Sequence, residues 1–297
     1  MSIKTKLLDE LIDSITPPKE TESYNLVLDS GAFNGGYLIG CLLYIKEIEQ
    51  KKYVNIEKIS GSSIGSICGL LYLSDKLEVY SEFYSSIRND MISKLNYKVL
   101  YKILDDIICK EQNDFYKKCN NKLFVTYFDI KKKRDVIVSN YKSNKHLYRV
   151  IKNSTYIPVI AGGLTSNNKI DATVPHIIYD KNKTIFLNLT TFKKVTFCLN
   201  VSEKNPTYKS LIGIIDIHQF YSTKCKTEIC SCVNEWSAYE NCLHSIRVIL
   251  TYMIKYLIAY LIELKEHYTA NEEEYKQKFI MYITNQIRNY ILMSISY

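Results

Sequence analysis

The stretch Ile59-Ser60-Gly61-Ser62-Ser63-Ile64-Gly65-Ser66 sets one serine between two glycines, each two positions away. It closes the short apolar run "VNIEKIS" and opens "IGSICGLLYL", so it lies where a strand ends and a helix begins. G-x-S-x-G carries chemistry only in that context. Gly61 and Gly65 allow a sharp elbow, the elbow exposes the Ser63 oxygen, and the helix N-terminus beside it favours developing negative charge. An ordinary glycine-serine turn reads the same locally, so the neighbouring segments have to decide.

Upstream, "YNLVLD" (Tyr24 to Asp29) reads as a buried strand and "SGAFNGG" as a loop of small residues. A helix follows, with Tyr37, Leu38, Cys41, Leu42, Ile45 and Ile48 along one face. A glycine-bearing loop between strand and helix presents backbone N–H groups to an anion, which suits an oxyanion or a phosphate. Gly31, Gly35, Gly36 and Gly40 do not make G-x-G-x-x-G, and no acidic ribose partner closes the next strand, so a dinucleotide site ranks low.

Downstream, residues 76 to 110 are helical in pattern. "KLFVTYFDI" and "RDVIVSN" then read as strands joined by the basic turn Lys131-Lys132-Lys133-Arg134. A helix near His146 to Lys152 leads into a long loop, "NSTYIPVIAGGLTSNNKIDATVPH", and "TIFLNL" and "KVTFCLNV" read as two more strands. From about Tyr208 the chain reads as mostly helical. The expected class is α/β, with a mainly parallel sheet covered by helices. Residues 1–20 form an N-terminal helix and linker ending at Pro17-Pro18, 21–205 the main domain, and 206–297 a helical C-terminal section on or beside it.

With 46% apolar and 24% charged residues in 297, the chain can bury a large core, which excludes a disordered class. The net charge of +8 favours an anionic partner, a membrane surface or a nucleic acid, but the chain shows no RNA-binding motif. Nine scattered cysteines suit reduced thiols in the cytoplasm, and no secretory signal is visible. No uninterrupted apolar run reaches the ~20 residues of a spanning helix, so a soluble or peripheral protein is expected. The 26 tyrosines, beside many Lys, Asn and Ile, suggest an AT-rich gene such as those of some large DNA viruses or protists. The cytoplasm would then be the host's.

The glycine loop and the elbow together resemble the patatin-like phospholipase family, whose chains open with a strand, a G-G-G-x-[RK]-G oxyanion loop, a helix, a strand and G-x-S-x-G. "LFVTYFDIKKKRDVIVSN" and "NSTYIPVIAGGLTSNNKIDATVPH" are similar to the family's strand-turn-strand and to its A-S-x-x-x-P segment leading to D-G-[GA]. The resemblance covers about Tyr24 to Val201. It implies a three-layer sandwich and a Ser-Asp dyad, with Ser63 as nucleophile, Asp171 as base, and Ser154 and Pro158 on the family's Ser and Pro. Gly31, Ala32, Asn34 and Gly35 would frame the oxyanion loop. The implied reaction is hydrolysis of a phospholipid or lysophospholipid ester, without cofactor or metal, at an anionic membrane.

Three departures bear on this. Ser30 and Ala32 stand where the family has glycine, Asn34 replaces its basic residue, and Asp171-Ala172-Thr173 replaces D-G-[GA]. Ala32 and Asn34 must therefore take conformations that glycine takes easily, and Ala172 is tolerable only at negative φ. A fold that keeps lipid binding without turnover is the alternative, and a coincidental serine in a nucleic-acid-binding protein ranks lower. A Ser-His-Asp triad would need His176, His218, His244 or His267, none in a recognisable catalytic loop. Cys225, Cys230, Cys232 and Cys242 lack the paired C-x2-C rhythm of zinc sites. In the long apolar helix around 243–264, Arg247, Thr251, Lys255, Ala259 and Glu263 recur every four residues. Burial is the favoured reading, against the amphipathic segment 272–297, and a membrane-facing lid is the alternative.

Overall fold

A computed structural model describes residues 3–94, 96–110, 114–158, 160–190 and 205–268. Strand β1 (Glu22–Leu28) is central because its apolar run can be covered on both faces, and Leu26, Val27 and Leu28 are fully buried. Helix α2 (Gly35–Gln50) carries the chain over to β2 (Val54–Ser62), which pairs parallel with β1. Helix α3 (Ile64–Leu73) follows β2 with a single residue, Ser63, between them, and every one of its residues is buried.

The segment 76–110 gives α4 (Tyr80–Lys94), α5 (Val99–Asp105) and one π-turn at Asp106–Lys110, and the short α6 (Phe115–Cys119) comes after it. Strands β3 (Leu123–Asp129) and β4 (Arg134–Val138) form the expected antiparallel hairpin around the basic turn. After α7 (Asn144–Ser154) come β5 (Lys169–Asp171) and β6 (Lys183–Leu187), and then α8 (Thr207–Thr223), β7 (Cys230–Cys232) and α9 (Ala238–Tyr268). An α1 (Ile3–Asp13) precedes the proline pair.

The described strands run β4-β3-β2-β1-β6-β7, with the inner four parallel and both edges antiparallel. This is the mainly parallel three-layer α/β sandwich expected from the motif order. Two strands escape sequence reading. β5 lies inside what reads as a long loop, and β7 lies inside what reads as helical C-terminal sequence, because three residues are too few to show a period of two. The proposed strand "KVTFCLNV" lies outside the described residues. Helices α2 and α8 touch backbone to backbone: a Cβ on Gly213 would come within 2.2 Å of the Tyr37 carbonyl, and the Cys41 thiol donates to the Gly213 carbonyl at 3.3 Å.

The long helix α9 corrects two expectations. By length and composition it is apolar enough to cross a membrane, which a count of uninterrupted apolar residues misses because Arg247 and Lys255 break the run. Its buried side, moreover, is the polar and small stripe. Lys255 and Ala259 are buried, whereas Ile249, Leu250, Met253, Ile254 and Leu257 are exposed. The packing partner expected from 272–297 lies outside the described residues. The stripe faces inward because the sheet offers it carboxylates: Asp29, fully buried, takes both Arg247 nitrogens, and Asp135 takes Lys255 at 2.6 Å.

Candidate active site

Ser63 sits at φ 53°, ψ −127°, a conformation that costs a non-glycine residue of order 1–3 kcal/mol and is held by its surroundings. The surroundings are tight. A Cβ on Gly65 would lie 2.2 Å from the Leu28 carbonyl, and one on Gly61 would lie 2.6 Å from the Gly65 backbone, so both elbow glycines are required for space. The Ser63 N–H donates to the Ser154 hydroxyl at 3.0 Å, and that hydroxyl donates onward to the Thr126 carbonyl at 2.7 Å. Ser154, at the C-terminal end of α7, thus locks the elbow to β3.

Strand β3 also brings Asp171 to Ser63 across 108 residues of chain. One edge of β3 pairs with β2 only as far as Ser62 opposite Thr126, because β2 turns away at the elbow. The vacated edge is taken by β5, with Asp171 opposite Tyr127, the next residue along. The carboxyl therefore lies in line with the end of β2, beside the Ser63 side chain, which helps to hold its pKa down. Its Oδ1 accepts from the Thr173 N–H at 2.7 Å and weakly from the Ser62 hydroxyl at 3.5 Å. Full burial pushes its pKa up to about 6. The hydrogen bonds from Ser63 and Thr173 and the charge of Lys255 hold it below where burial alone would put it.

The glycine loop faces the same point. Ala32, Phe33, Ser63 and Ile64 lie together in the wall of an apolar cavity, continued by Ile67, Tyr80, Phe83, Tyr84, Ile87, Tyr97, Leu100, Thr155, Ile157 and Ile160. A Cβ on Gly31 would meet Leu189 at 2.8 Å, and one on Gly35 would meet Ile64 at 2.5 Å and the Tyr80 hydroxyl at 2.6 Å. Ala32 takes φ 44°, as expected of a residue on a glycine position, whereas Asn34, at φ −86°, does not need glycine's freedom. The Asn34 N–H is spent on the Gly31 carbonyl at 2.8 Å, which removes it from the donors the loop offers an anion. Ala172 keeps negative φ, and the unusual conformation passes to Thr173 at φ 60°.

Three residues of this neighbourhood, Asp29, Arg247 and Lys255, carry no motif. Asp29, at the end of β1, accepts from the Ser30 N–H at 2.9 Å, the Leu189 N–H at 3.1 Å and the Thr190 hydroxyl at 2.9 Å, besides both arms of Arg247. Arg247 also donates to the Thr173 carbonyl at 3.3 Å, and the Ser30 hydroxyl donates to that same carbonyl. Lys255 donates to the Ala172 carbonyl at 3.1 Å. The inner face of α9 thereby fastens the glycine loop to the Asp171 loop. The only sequence signal was the four-residue period of that stripe, which does not name its partners.

The described histidine side chains stand elsewhere. His218 pairs with the Tyr44 hydroxyl at 3.0 Å, His244 packs edge-on to Phe186 and beside Trp236, and His176 bonds Thr126 through its backbone N–H. Burial lowers the pKa of all three. Among the described side chains, none of them hydrogen-bonds Ser63 or Asp171; the His267 side chain lies outside them. Cys230 and Cys232 are buried on β7, while Cys225 and Cys242 are exposed.

A family model described as patatin-like phospholipase matches residues 26–212, from β1 through the elbow and β5 into α8. The chain belongs to the patatin-like phospholipase family. The match spans the strand-loop-helix, elbow and aspartate motifs together, and membership supports hydrolysis of lipid esters as the family-level activity. No curated protein matches the chain.

Proposed function

We propose that the protein is a serine lipid acyl hydrolase of the phospholipase A or lysophospholipase type, working through a Ser63-Asp171 dyad in the cytoplasm. The observation that carries this reading is the meeting of three parts at one point: the strained Ser63, a buried carboxylate beside it, and an apolar cavity lined by the serine. Asp171 accepts the Ser63 proton as the serine oxygen attacks an ester carbonyl. Backbone N–H groups of the 31–35 loop and the N-terminus of α3 stabilise the oxyanion. Collapse expels the alcohol, which takes the proton from Asp171. Water, deprotonated by the same carboxylate, then cleaves the acyl-enzyme and releases the fatty acid.

The cavity lining is almost wholly hydrocarbon and aromatic edge, which suits an acyl chain and not a sugar or a peptide. The basic residue of the family's loop is absent, so headgroup phosphate is not held there. The substrate lipid is reached by peripheral contact with an anionic bilayer.

The test is fatty-acid release from labelled phospholipid and lysophospholipid vesicles, with chelator present, by wild type, Ser63→Ala and Asp171→Asn. Wild type should be active, with a loss of about a thousandfold or more in each variant. A folded wild type that releases nothing from any lipid would shift the reading to lipid binding without turnover, with Ala32 and Thr173 as the altered parts.

A further inference from the structure

We infer that the outward face of α9, with the basic tip of the β3–β4 hairpin beside it, is the surface on which the protein docks to an anionic lipid bilayer. This rests on the acyl-hydrolase reading, whose substrate lies in a membrane, and it assigns the contact to named residues. A helix on a globular domain normally turns its apolar side inward. Here Arg247, Lys255 and Ala259 face in, while Ile246, Ile249, Leu250, Met253, Ile254 and Leu257 are each 46–64% exposed. Scattered exposed apolar side chains need no explanation, but a continuous row of them does. Ile246, Leu250 and Ile254 line a groove against Phe186 and residues 226–231, and among the described residues nothing fills that groove or covers Ile249, Met253 and Leu257.

The outward orientation is fixed from the other side. Turning α9 to bury its apolar row would strip Asp29 of Arg247 and Asp135 of Lys255, leaving carboxylates without their counter-charges. The helix is therefore held with its apolar side out by its polar side in.

Charge selects the occupant. Lys133 pairs with Glu263 at 3.1 Å and the Tyr252 hydroxyl donates to the Lys133 carbonyl at 2.9 Å, so the hairpin tip is tied to α9. Lys131, Lys132, Lys133 and Arg134 are all exposed there. An apolar row flanked by a cluster of cations matches the headgroup boundary of an anionic membrane, where side chains enter the acyl layer and cations meet lipid phosphates and carboxylates. A second copy of this chain would bring the same +8 charge, which opposes self-pairing. Through Arg247 and Lys255 the docking helix is also fastened to the Thr173 and Ala172 carbonyls, so it lies against the Asp171 loop.

The experiment is flotation of the full chain with vesicles of phosphatidylcholine alone or mixed in equal parts with phosphatidylserine. It is run beside thermal unfolding, oligomeric state and hydrolysis of a water-soluble short-chain ester. Wild type should float with the mixed vesicles. The variant carrying Ile249→Glu, Met253→Glu and Leu257→Glu should lose about tenfold or more in affinity. Lys131→Glu with Lys132→Glu should lose about fivefold per charge on mixed vesicles only. Both should unfold as wild type does and still cleave the soluble ester, and Ser63→Ala should float unchanged. A wild type that stays unbound, a triple-glutamate variant that binds normally, or a wild-type dimer that this variant dissolves would each overturn the proposal. Normal flotation with no esterase activity would leave the docking surface standing and remove the hydrolase reading.

Discussion

At the scale of the residue, Asp171 ties the proposed chemistry to a cost in stability. Its folded pKa of about 6 exceeds the ordinary carboxyl value of 3.8, so the folded state holds the proton more tightly than the unfolded chain does. The stability tied to that proton is therefore fully present below about pH 4 and lost as pH rises through about 6. Activity runs the opposite way, because a general base must be ionised. The acid limb of kcat/KM should bend near pH 6 in a pH-rate profile. Asp171→Asn should abolish turnover yet raise unfolding stability at pH 8 by up to about 3 kcal/mol in urea titrations, with the gain vanishing near pH 4. A second local cost lies at Thr173, whose β-branched side chain is held at φ 60°. Thr173→Gly should keep the N–H bond to Asp171 and stabilise the fold by about 1 kcal/mol, seen as a higher melting temperature.

At the scale of the element, α9 is best understood from its inner face. Lys255 is 3% exposed, and burial lowers its pKa while Asp135 raises it back. The pair gains less from charge attraction than its 2.6 Å contact suggests, but breaking it leaves Asp135 with its desolvation uncompensated. Lys255→Met should cost about 2–4 kcal/mol in chemical denaturation. Adding Asp135→Leu should recover much of that loss, because no unpaired charge remains. The Lys255 ammonium also lowers the Asp171 pKa, so both variants should move the acid limb of the rate profile upward. A purely structural lysine would leave that limb in place.

At the scale of the whole molecule, the parallel centre of the sheet sets where the site is. Parallel strands end at the same side, so the loops after β1 and β2 emerge together, and β5 is added where β2 leaves β3. The net charge and the basic hairpin tip act at this scale too, by biasing approach toward anionic surfaces with a reach limited to roughly 10 Å at physiological salt.

Local sequence determined the strand-loop-helix around Gly31, the elbow at Ser63, the β3–β4 hairpin and the apolar character of α9, because each is written in residues adjacent in the chain. A sharp turn needs glycines two positions from the serine, and a buried parallel strand needs an unbroken apolar run. Asp171 could be marked only by likeness to a motif, since nothing local distinguishes it from a turn aspartate. Only the tertiary structure decided that Asp171 meets Ser63, that Ser154 holds the elbow, and that Asp29 and Asp135 draw the polar stripe of α9 inward and leave its apolar side out. The physical reason is that periodicity reports which residues share a face of a helix or strand. Which way that face turns depends on the partner across the interface, and the carboxylate partners of α9 lie more than a hundred residues away.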